Sequence, residues 1–256
     1  MNSISFRNGR GLTLRGYIHV PPKYDKREGA AILFLHGFPS NAQGFSSTRL
    51  SKVIEKTSYL FLTFSFSHSP PSEGKFEDKL MSREVEDIKY AINFLEENYG
   101  FKQLVLAGIS TGAIDASLYA WKDQRLSKLI LMGAESDTKH SVRYDFTDQQ
   151  VHDFWTKGFI RYNRPGHWVH RQRLKKTFYD EFFTLDIQKA MKRYKKPLLI
   201  IHGENDQSVP LKEAEELLKI ANKPKRLVII KGADHRFSRP EHFRKVLKVI
   251  KKFIDI

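Results

Sequence analysis

The sequence predicts a single α/β domain built on a mostly parallel sheet with helices on both of its faces. Six continuous apolar runs have the length of strands buried on two faces. Segments of helical periodicity lie between several of these runs, and such alternation is typical of parallel sheets. A chain of 256 residues is also the size of one domain with a full core.

The predicted strands end at Gly, Pro or polar residues. They cover residues 30–35, 59–66, 104–109, 129–132, 198–202 and 227–230. Ahead of them, two short segments alternate apolar and polar side chains on either side of a glycine turn at 9–11. This pattern predicts an antiparallel N-terminal hairpin at one edge of the sheet.

Three segments place apolar residues at helical spacing, namely 82–99, 211–221 and 240–254. The stretch 135–195 differs, since it lacks a strong apolar run and is rich in aromatic residues. A structureless loop of that length is improbable in a compact domain. We therefore expect residues 1–134 and 196–256 to form the core and 135–195 to form a helical lid.

The aromatic residues of the predicted lid allow two interpretations. They are Trp155, Phe159, Tyr162, Trp168, Phe178, Tyr179, Phe182 and Phe183. The rings would suit an apolar or aromatic acyl group in the pocket below, or they would form the lid's own small core. For any single ring the second interpretation is favoured.

The chain is basic, with a formal charge of +15 and a pI near 9.8. Twelve Lys or Arg fall between residues 157 and 196, against Asp180, Glu181 and Asp186. They would draw in anionic substrates or simply form a solvated surface, and the second explanation is favoured. No nucleic-acid-binding pattern occurs, so we expect no nucleic acid partner.

The absence of cysteine excludes disulfides, thiolate metal sites and a cysteine nucleophile. No HExxH or comparable spacing occurs, so we expect no metal and no organic cofactor. The N-terminal residues are polar where a signal peptide needs an apolar core, and no apolar run is long enough for a membrane span. We expect a cytoplasmic protein; the sequence leaves its oligomeric state open, a homodimer included.

Ser110 lies in the pattern Gly108-Ile109-Ser110-Thr111-Gly112, directly after a predicted buried strand and before a helical segment. This is the context of a nucleophile elbow, a sharp strand-to-helix turn that exposes a serine hydroxyl. The N-terminus of the following helix offers N–H groups to developing negative charge. We expect Ser110 to be a nucleophile.

A serine hydroxyl needs a base to remove its proton and a carboxylate to orient that base. Asp206 and His235 each follow a predicted strand, in the chain order Ser, Asp, His. The carboxyl ends of parallel strands are where such sheets collect catalytic groups. We expect Asp206 to be the acid and His235 the base.

Three nearby residues compete for these roles. Asp234 adjoins His235 and is interpreted as a turn former, and Glu204 as solvent-facing or as a support for its loop. His202 ends an apolar strand and is expected to be a partly buried structural histidine.

The tetrahedral oxyanion requires two N–H donors. We assign the backbone N–H groups of Phe38, in the loop after the strand 30–35, and of Thr111. His36 and Gly37 precede Phe38, and His36 is expected to brace this loop by hydrogen bonding.

Four motifs occur in the order HGFPSN, GISTG, HGENDQSVP and GADHRF, over nearly the whole chain. Together they resemble the α/β-hydrolase superfamily, and within it the cinnamoyl or feruloyl esterases. The resemblance implies an α/β-hydrolase fold with a lid after the sixth strand. The sequence departs from these relatives at FSFSHSPPSEGKFED, where Ser65, Pro70 and Pro71 make the loop unusual.

These observations predict a carboxylic ester hydrolase that cleaves small-molecule esters of short-chain or aromatic, hydroxycinnamoyl-type acids, through a Ser-His-Asp triad and an acyl-enzyme. Thioesterase, lipase and aminopeptidase activities need the same triad and stay open. A non-catalytic protein that binds a ligand on a hydrolase scaffold is the alternative of another class.

Overall fold

The computed structural model describes residues 1–255, and these form an eight-stranded sheet covered by helices on both faces. Its strands are β1 (Asn2–Arg7), β2 (Thr13–His19), β3 (Ala30–Leu35), β4 (Leu60–Phe64), β5 (Gln103–Ile109), β6 (Leu126–Met132), β9 (Leu198–Gly203) and β10 (Lys225–Ile230), and two further strands, β7 (Phe159–Arg161) and β8 (Arg173–Lys175), pair separately. The helices are α1 (Phe45–Ile54), α2 (Met81–Asn98), α3 (Thr111–Tyr119), α4 (Thr138–Asp145), α5 (Asp148–Lys157), α6 (Lys176–Glu181), α7 (Ile187–Arg193), α8 (Leu211–Ile220) and α9 (Pro240–Ile254).

The strand order in the large sheet is β1-β2-β4-β3-β5-β6-β9-β10. β1 pairs antiparallel with β2, and β2 pairs antiparallel with β4, whereas the remaining neighbours are parallel. The predicted fold class and the predicted hairpin at the sheet edge are therefore confirmed. Each of the six predicted apolar runs overlaps one strand of this sheet.

Successive residues of the parallel strands face opposite sides of the sheet, so the core has two layers. Leu33 of β3 packs in one layer with α2 and α3, and with the segment between β6 and β9. Ile32, the preceding residue, packs in the other layer with α1 and α9. Burial on both faces explains why these strands are continuous apolar runs rather than alternating ones.

The chain reverses its direction across the sheet between β3 and β5. From β3 it goes to β4 on one side, and it later returns to β5 on the other side. In such sheets, ligands bind outside the carboxyl ends of the strands at this switch point. The residues after β3 and β5 are those that the sequence assigns to the oxyanion loop and the nucleophile.

The segment between β6 and β9 contains α4 to α7 and an antiparallel pair formed by β7 and β8. The helices agree with the prediction, but the two strands were not predicted, because three residues each are too few to give a periodic signal. Several of its rings pack on one another, with Phe154 against Tyr179 and Phe178 against Phe182.

Some rings of this segment also contact residues outside it. Phe178 stacks on Phe38, and Trp168 packs against Phe76. Trp155 instead is 66% exposed, with the Lys176 ammonium over its ring. Among residues 1–255, no helix has both the length and the apolar character needed to cross a membrane.

Candidate active site

Ser110 occupies the turn between β5 and α3 with a strained backbone. Its φ of 56° and ψ of −129° lie in a region that non-glycine residues rarely adopt. The flanking glycines make this turn possible: a Cβ on Gly108 would lie 2.1 Å from the Gly112 carbonyl oxygen, and one on Gly112 would lie 2.5 Å from that of His36. Strain of this kind clusters at functional sites, and here it presents the hydroxyl at the end of the strand.

His235 and Asp206 are joined by a hydrogen bond. The His235 Nδ1–H donates to Asp206 Oδ2 at 2.7 Å. The two residues follow neighbouring parallel strands, since β10 lies beside β9. The Asp206 carboxylate is fully buried, whereas the His235 side chain is 15% exposed. This contact fixes the ring orientation and leaves Nε2 free to accept a proton.

The Asp206 carboxylate is held by several donors besides His235. Its Oδ1 accepts the backbone N–H groups of Ser208 and Val209 at 2.9 and 2.8 Å. Burial alone would raise the pKa of Asp206, but the hydrogen bonds and the positive charge of a protonated His235 outweigh it and hold the pKa below its usual value. Asp206 is therefore ionised at neutral pH.

His202 is fully buried, and its Nε2 lies 2.9 Å from the Val209 carbonyl oxygen and 3.3 Å from Asp206 Oδ2. Because both neighbours accept, Nε2 carries the ring proton. Burial lowers the pKa of His202, so the ring is neutral. It places a neutral ring beside the buried carboxylate.

The other two rivals make contacts within their loops. Glu204 accepts the Gly232 N–H at 2.8 Å, and Asp234 accepts the Ser238 N–H at 2.7 Å. Neither contacts His235 through a hydrogen bond. Asp206 is therefore the carboxylate that the structure brings to this ring.

His36 ties the loop after β3 to the loop after β4. Its Nδ1–H donates to the Gly37 carbonyl at 2.9 Å, and its Nε2 accepts the Phe66 N–H at 3.2 Å. Burial, followed by the nearby Lys79 ammonium, lowers the pKa of His36 to about 3, so the ring is neutral. A Cβ on Gly37 would lie 3.0 Å from the Ser110 Cβ, so this loop passes directly beside the serine.

The two N–H groups assigned to the oxyanion point to no partner within the protein. Within residues 1–255, neither the Phe38 N–H nor the Thr111 N–H donates a hydrogen bond. Thr111 begins α3, where backbone N–H groups lack partners inside the helix. Both donors are thus available to a ligand beside Ser110.

A cavity of about 440 Å³ opens at these residues. Ser110, His235, Gly37 and Phe38 all line it, together with Trp168 from the segment above the sheet. In this structure no hydrogen bond joins the Ser110 hydroxyl to the His235 ring. Contacts of this type are often long in ligand-free enzymes and tighten when substrate binds.

Gly133 is a residue at the site that the sequence did not reveal. It directly follows β6 with a φ of 54°, and a Cβ there would lie 2.8 Å from the His235 Cε1. A side chain at this position would displace the ring. The need for glycine at this position comes from its contact with His235, which follows a different strand, so no local pattern could have indicated it.

A buried ionic cluster lies behind the loop after β3 and was also not predicted. Lys79 is 1% exposed; its ammonium donates to Ser69 Oγ at 3.0 Å and pairs with Glu84, and it lies 5.6 Å from the Phe38 ring centre. Asp115 of α3 is also buried, and neither of its carboxyl oxygens has a hydrogen-bond partner among the described residues. Burial, and then the nearby Glu84, raises the pKa of Asp115 well above its usual value, so the group is protonated.

Asp115 makes the protein less stable as pH rises. The folded state keeps a proton on Asp115 that the unfolded chain releases above about pH 4, so folding stability falls with pH from there toward the raised pKa. We expect Asp115→Asn to remove this dependence and to make the slope of the unfolding free energy less negative by up to about 1.4 kcal/mol per pH unit. Guanidinium unfolding at about pH 5, 6 and 7 measures the slope.

The matched control is Glu73→Gln at an exposed carboxylate. The Thr13 N–H holds the pKa of Glu73 below its usual value, so its charge is the same in both states above about pH 5. This variant should keep the wild-type slope. Equal slopes in the wild type and Asp115→Asn would show that Asp115 is ionised in the folded protein.

The unusual loop after β4 is packed rather than open. Ser65 is fully buried and accepts the Ala42 N–H through its Oγ at 3.1 Å, while its carbonyl accepts from the Ser72 hydroxyl. Pro70 and Pro71 lie between these contacts. The loop therefore supports the segment that precedes α1, which borders the cavity.

One group of side chains has the spacing of a metal site. His140, Glu213 and Glu216 place ligand atoms within 4.8 Å of one another. Glu213, however, already accepts hydrogen bonds from Ser136, His140 and Tyr144. These contacts account for the cluster as a link between α4 and α8.

Comparison with known proteins finds similar proteins both by sequence and by structure. The bifunctional esterase/perhydrolase DCH of Acinetobacter calcoaceticus is 25% identical over 238 residues, which cover 75% of this chain and 82% of that protein. The structure of Est1E from Butyrivibrio proteoclasticus with bound ferulic acid superposes with a TM-score of 0.82 at 20% identity, over 98% of this chain and 97% of that one. An esterase from Pyrococcus furiosus gives 0.75 at 17% identity, over 99% and 89%. At these identities the two structures establish the fold.

The strand order, the strained serine turn and the His235–Asp206 contact define an α/β hydrolase. The model of the prolyl oligopeptidase family matches residues 73–255, which is more than half of the protein. The chain belongs to that family. The resemblance to serine esterases of the α/β-hydrolase superfamily, predicted from four sequence motifs, is confirmed.

Proposed function

We propose that this protein is a carboxylic ester hydrolase in which Ser110 is the nucleophile, His235 the general base and Asp206 the orienting acid. The observation that carries the proposal is the convergence, on one cavity, of a strained serine and a histidine that is hydrogen-bonded to a buried carboxylate. The esterase names of its relatives support the choice of ester chemistry.

In this mechanism His235 Nε2 removes the Ser110 proton while the alkoxide attacks the ester carbonyl. The Phe38 and Thr111 N–H groups hold the resulting oxyanion. His235 then gives its proton to the leaving alcohol, and a water molecule, deprotonated by the same ring, releases the acid from the acyl-enzyme. Asp206 stabilises the imidazolium in each half of the cycle. No step needs a metal or an organic cofactor.

The acyl group is proposed to be short or aromatic. Phe38 and Trp168 line the cavity, and its volume of about 440 Å³ suits a small-molecule ester. The segment 135–195 is proposed to act as a lid, since its residues 164 and 166–168 border the cavity. The ferulic acid in the Est1E structure is an aromatic acid of the expected kind.

Thioesterase and lipase activities need the same residues and would appear in the same assays. An aminopeptidase must in addition bind the ammonium group of its substrate, usually with carboxylates. No Asp or Glu from residues 1–255 lines the cavity, so the charges favour esters over peptides with a free N-terminus. A purely binding protein would not need a strained serine beside a histidine.

Covalent labelling tests the proposal. A fluorophosphonate probe should phosphonylate Ser110 Oγ with loss of fluoride, because the reaction needs an activated serine and an oxyanion site. Mass spectrometry of the labelled protein should find the adduct on Ser110, and Ser110→Ala should abolish it. Ser46→Ala, which removes a hydroxyl lining the same cavity, is the matched control and should label normally.

Esters of varied acyl length then define the substrate. We expect nitrophenyl esters of short acids and hydroxycinnamate esters to give higher kcat/KM than long-chain esters. The lack of both Ser110 labelling and ester turnover would overturn the proposal in favour of a binding protein.

A further inference from the structure

The cavity that contains Ser110 carries positive charge, and no acidic residue among residues 1–255 lines it. Arg164, from the loop between β7 and β8, and Arg236, directly after His235, both line it. The two charges come from segments about seventy residues apart in sequence, and the fold brings them to one site.

Four other cations of the segment 135–195 differ from these two because they are paired. Lys157, Arg173, Lys175 and Lys176 form ion pairs with Asp153, Glu77, Asp78 and Asp180, respectively. Within residues 1–255, neither Arg164 nor Arg236 forms a salt bridge. The remaining Lys and Arg of the segment do not line the cavity, so the solvated-surface explanation suggested by the sequence covers them but not Arg164 and Arg236.

His167 lines the same cavity as the two arginines. Its pKa is lowered by burial and then by the charges of Arg164 and Arg236. A neutral ring at this cavity can donate a hydrogen bond but adds no charge. The two positive charges at this cavity therefore disfavour a bound cation and favour a bound anion.

We propose that the substrate cleaved at Ser110 carries a carboxylate, which Arg164 and Arg236 bind while the ester carbonyl lies at the serine. A guanidinium group has the planar donor pair that matches a carboxylate. Phe45, 47% exposed, and Trp168 line the same cavity and provide apolar contact for the carbon skeleton between the two groups. The inference rests on the proposed function and specifies its substrate class.

Matched pairs of esters test it with the charge on either side of the scissile bond. For the alcohol side, 4-acetoxybenzoate is compared with 4-acetoxybenzamide. For the acyl side, the mono-4-nitrophenyl ester of glutaric acid is compared with that of glutaramic acid. We expect kcat/KM to favour the carboxylate by about tenfold to hundredfold in one pair at low ionic strength, and the ratio to shrink with added salt because both arginines are exposed.

The double variant Arg164→Gln/Arg236→Gln should bring that ratio to about one, since charge-assisted hydrogen bonds are lost. The amide measured on the same variant corrects for any general loss of activity. The control, Arg244→Gln/Lys245→Gln, removes the same charge from an exposed part of α9 outside the cavity and should keep the wild-type ratio.

Ratios near one for both pairs in the wild type, or a ratio that survives in the arginine variant, would overturn this inference while the ester hydrolase remains. If none of the four esters is cleaved and Ser110 is not labelled, the proposed function fails, and the inference fails with it.

Discussion

Ser110→Ala is expected to lower kcat for ester hydrolysis by about 10³-fold to 10⁶-fold, the range for removing the nucleophile of a serine triad. Alanine cannot form the acyl-enzyme, so only the N–H groups of the oxyanion site and substrate binding remain to assist direct attack by water. Single-turnover and steady-state kinetics on a nitrophenyl ester measure the loss.

The fold should survive this change. The Ser110 hydroxyl makes no hydrogen bond with a described residue, and a Cβ is kept at the strained position. Circular dichroism and the thermal midpoint should therefore match the wild type. Turnover within tenfold of the wild type in a folded Ser110→Ala protein would remove Ser110 from the mechanism.

Asp206→Asn is expected to lower kcat by about 10⁴-fold, the effect of giving a triad histidine the wrong tautomer. The structure shows why the amide would be oriented badly. Two backbone N–H groups, those of Ser208 and Val209, hold Oδ1, so the amide oxygen would stay there and the NH₂ would face His235 Nδ1. The ring would then have to accept at Nδ1 and carry its proton at Nε2, where it could not act as a base.

Asp234→Asn and Glu204→Gln are the matched controls, because each changes a carboxylate of the neighbouring turns that accepts a backbone N–H and makes no hydrogen bond to His235. Both should stay within about tenfold of the wild type, as surface substitutions usually have small effects. Comparing the kcat values of the three variants on one ester shows which carboxylate acts with His235. A larger loss in Asp234→Asn than in Asp206→Asn would assign the acid to residue 234.

Local signals in the sequence were enough for the strands of the large sheet and the main motifs. Runs such as 30–35 and 198–202 are apolar because both faces of a parallel strand are covered, so successive residues are all buried. The serine turn is equally local, since it needs glycines two residues before and after Ser110 to avoid collisions with neighbouring backbone.

Other features of the site have no local sequence signal. Three of them depend on neighbours from distant segments. They are the short strands of the predicted lid, the glycine that makes room for the His235 ring, and the buried Lys79 with its carboxylates. In the sequence, Lys79 and Asp115 look like ordinary polar residues. Their burial follows from how α2 and α3 pack behind the loop after β3.

By itself, the sequence determined the fold class, the chain order of Ser110, Asp206 and His235, and the excess of basic residues, because strand burial and turn geometry act over a few neighbouring residues. Only the tertiary structure decided which carboxylate meets the histidine and which arginines line the cavity. Those outcomes depend on the order of strands in the sheet and on side chains that meet across it, and short-range sequence patterns do not encode such contacts.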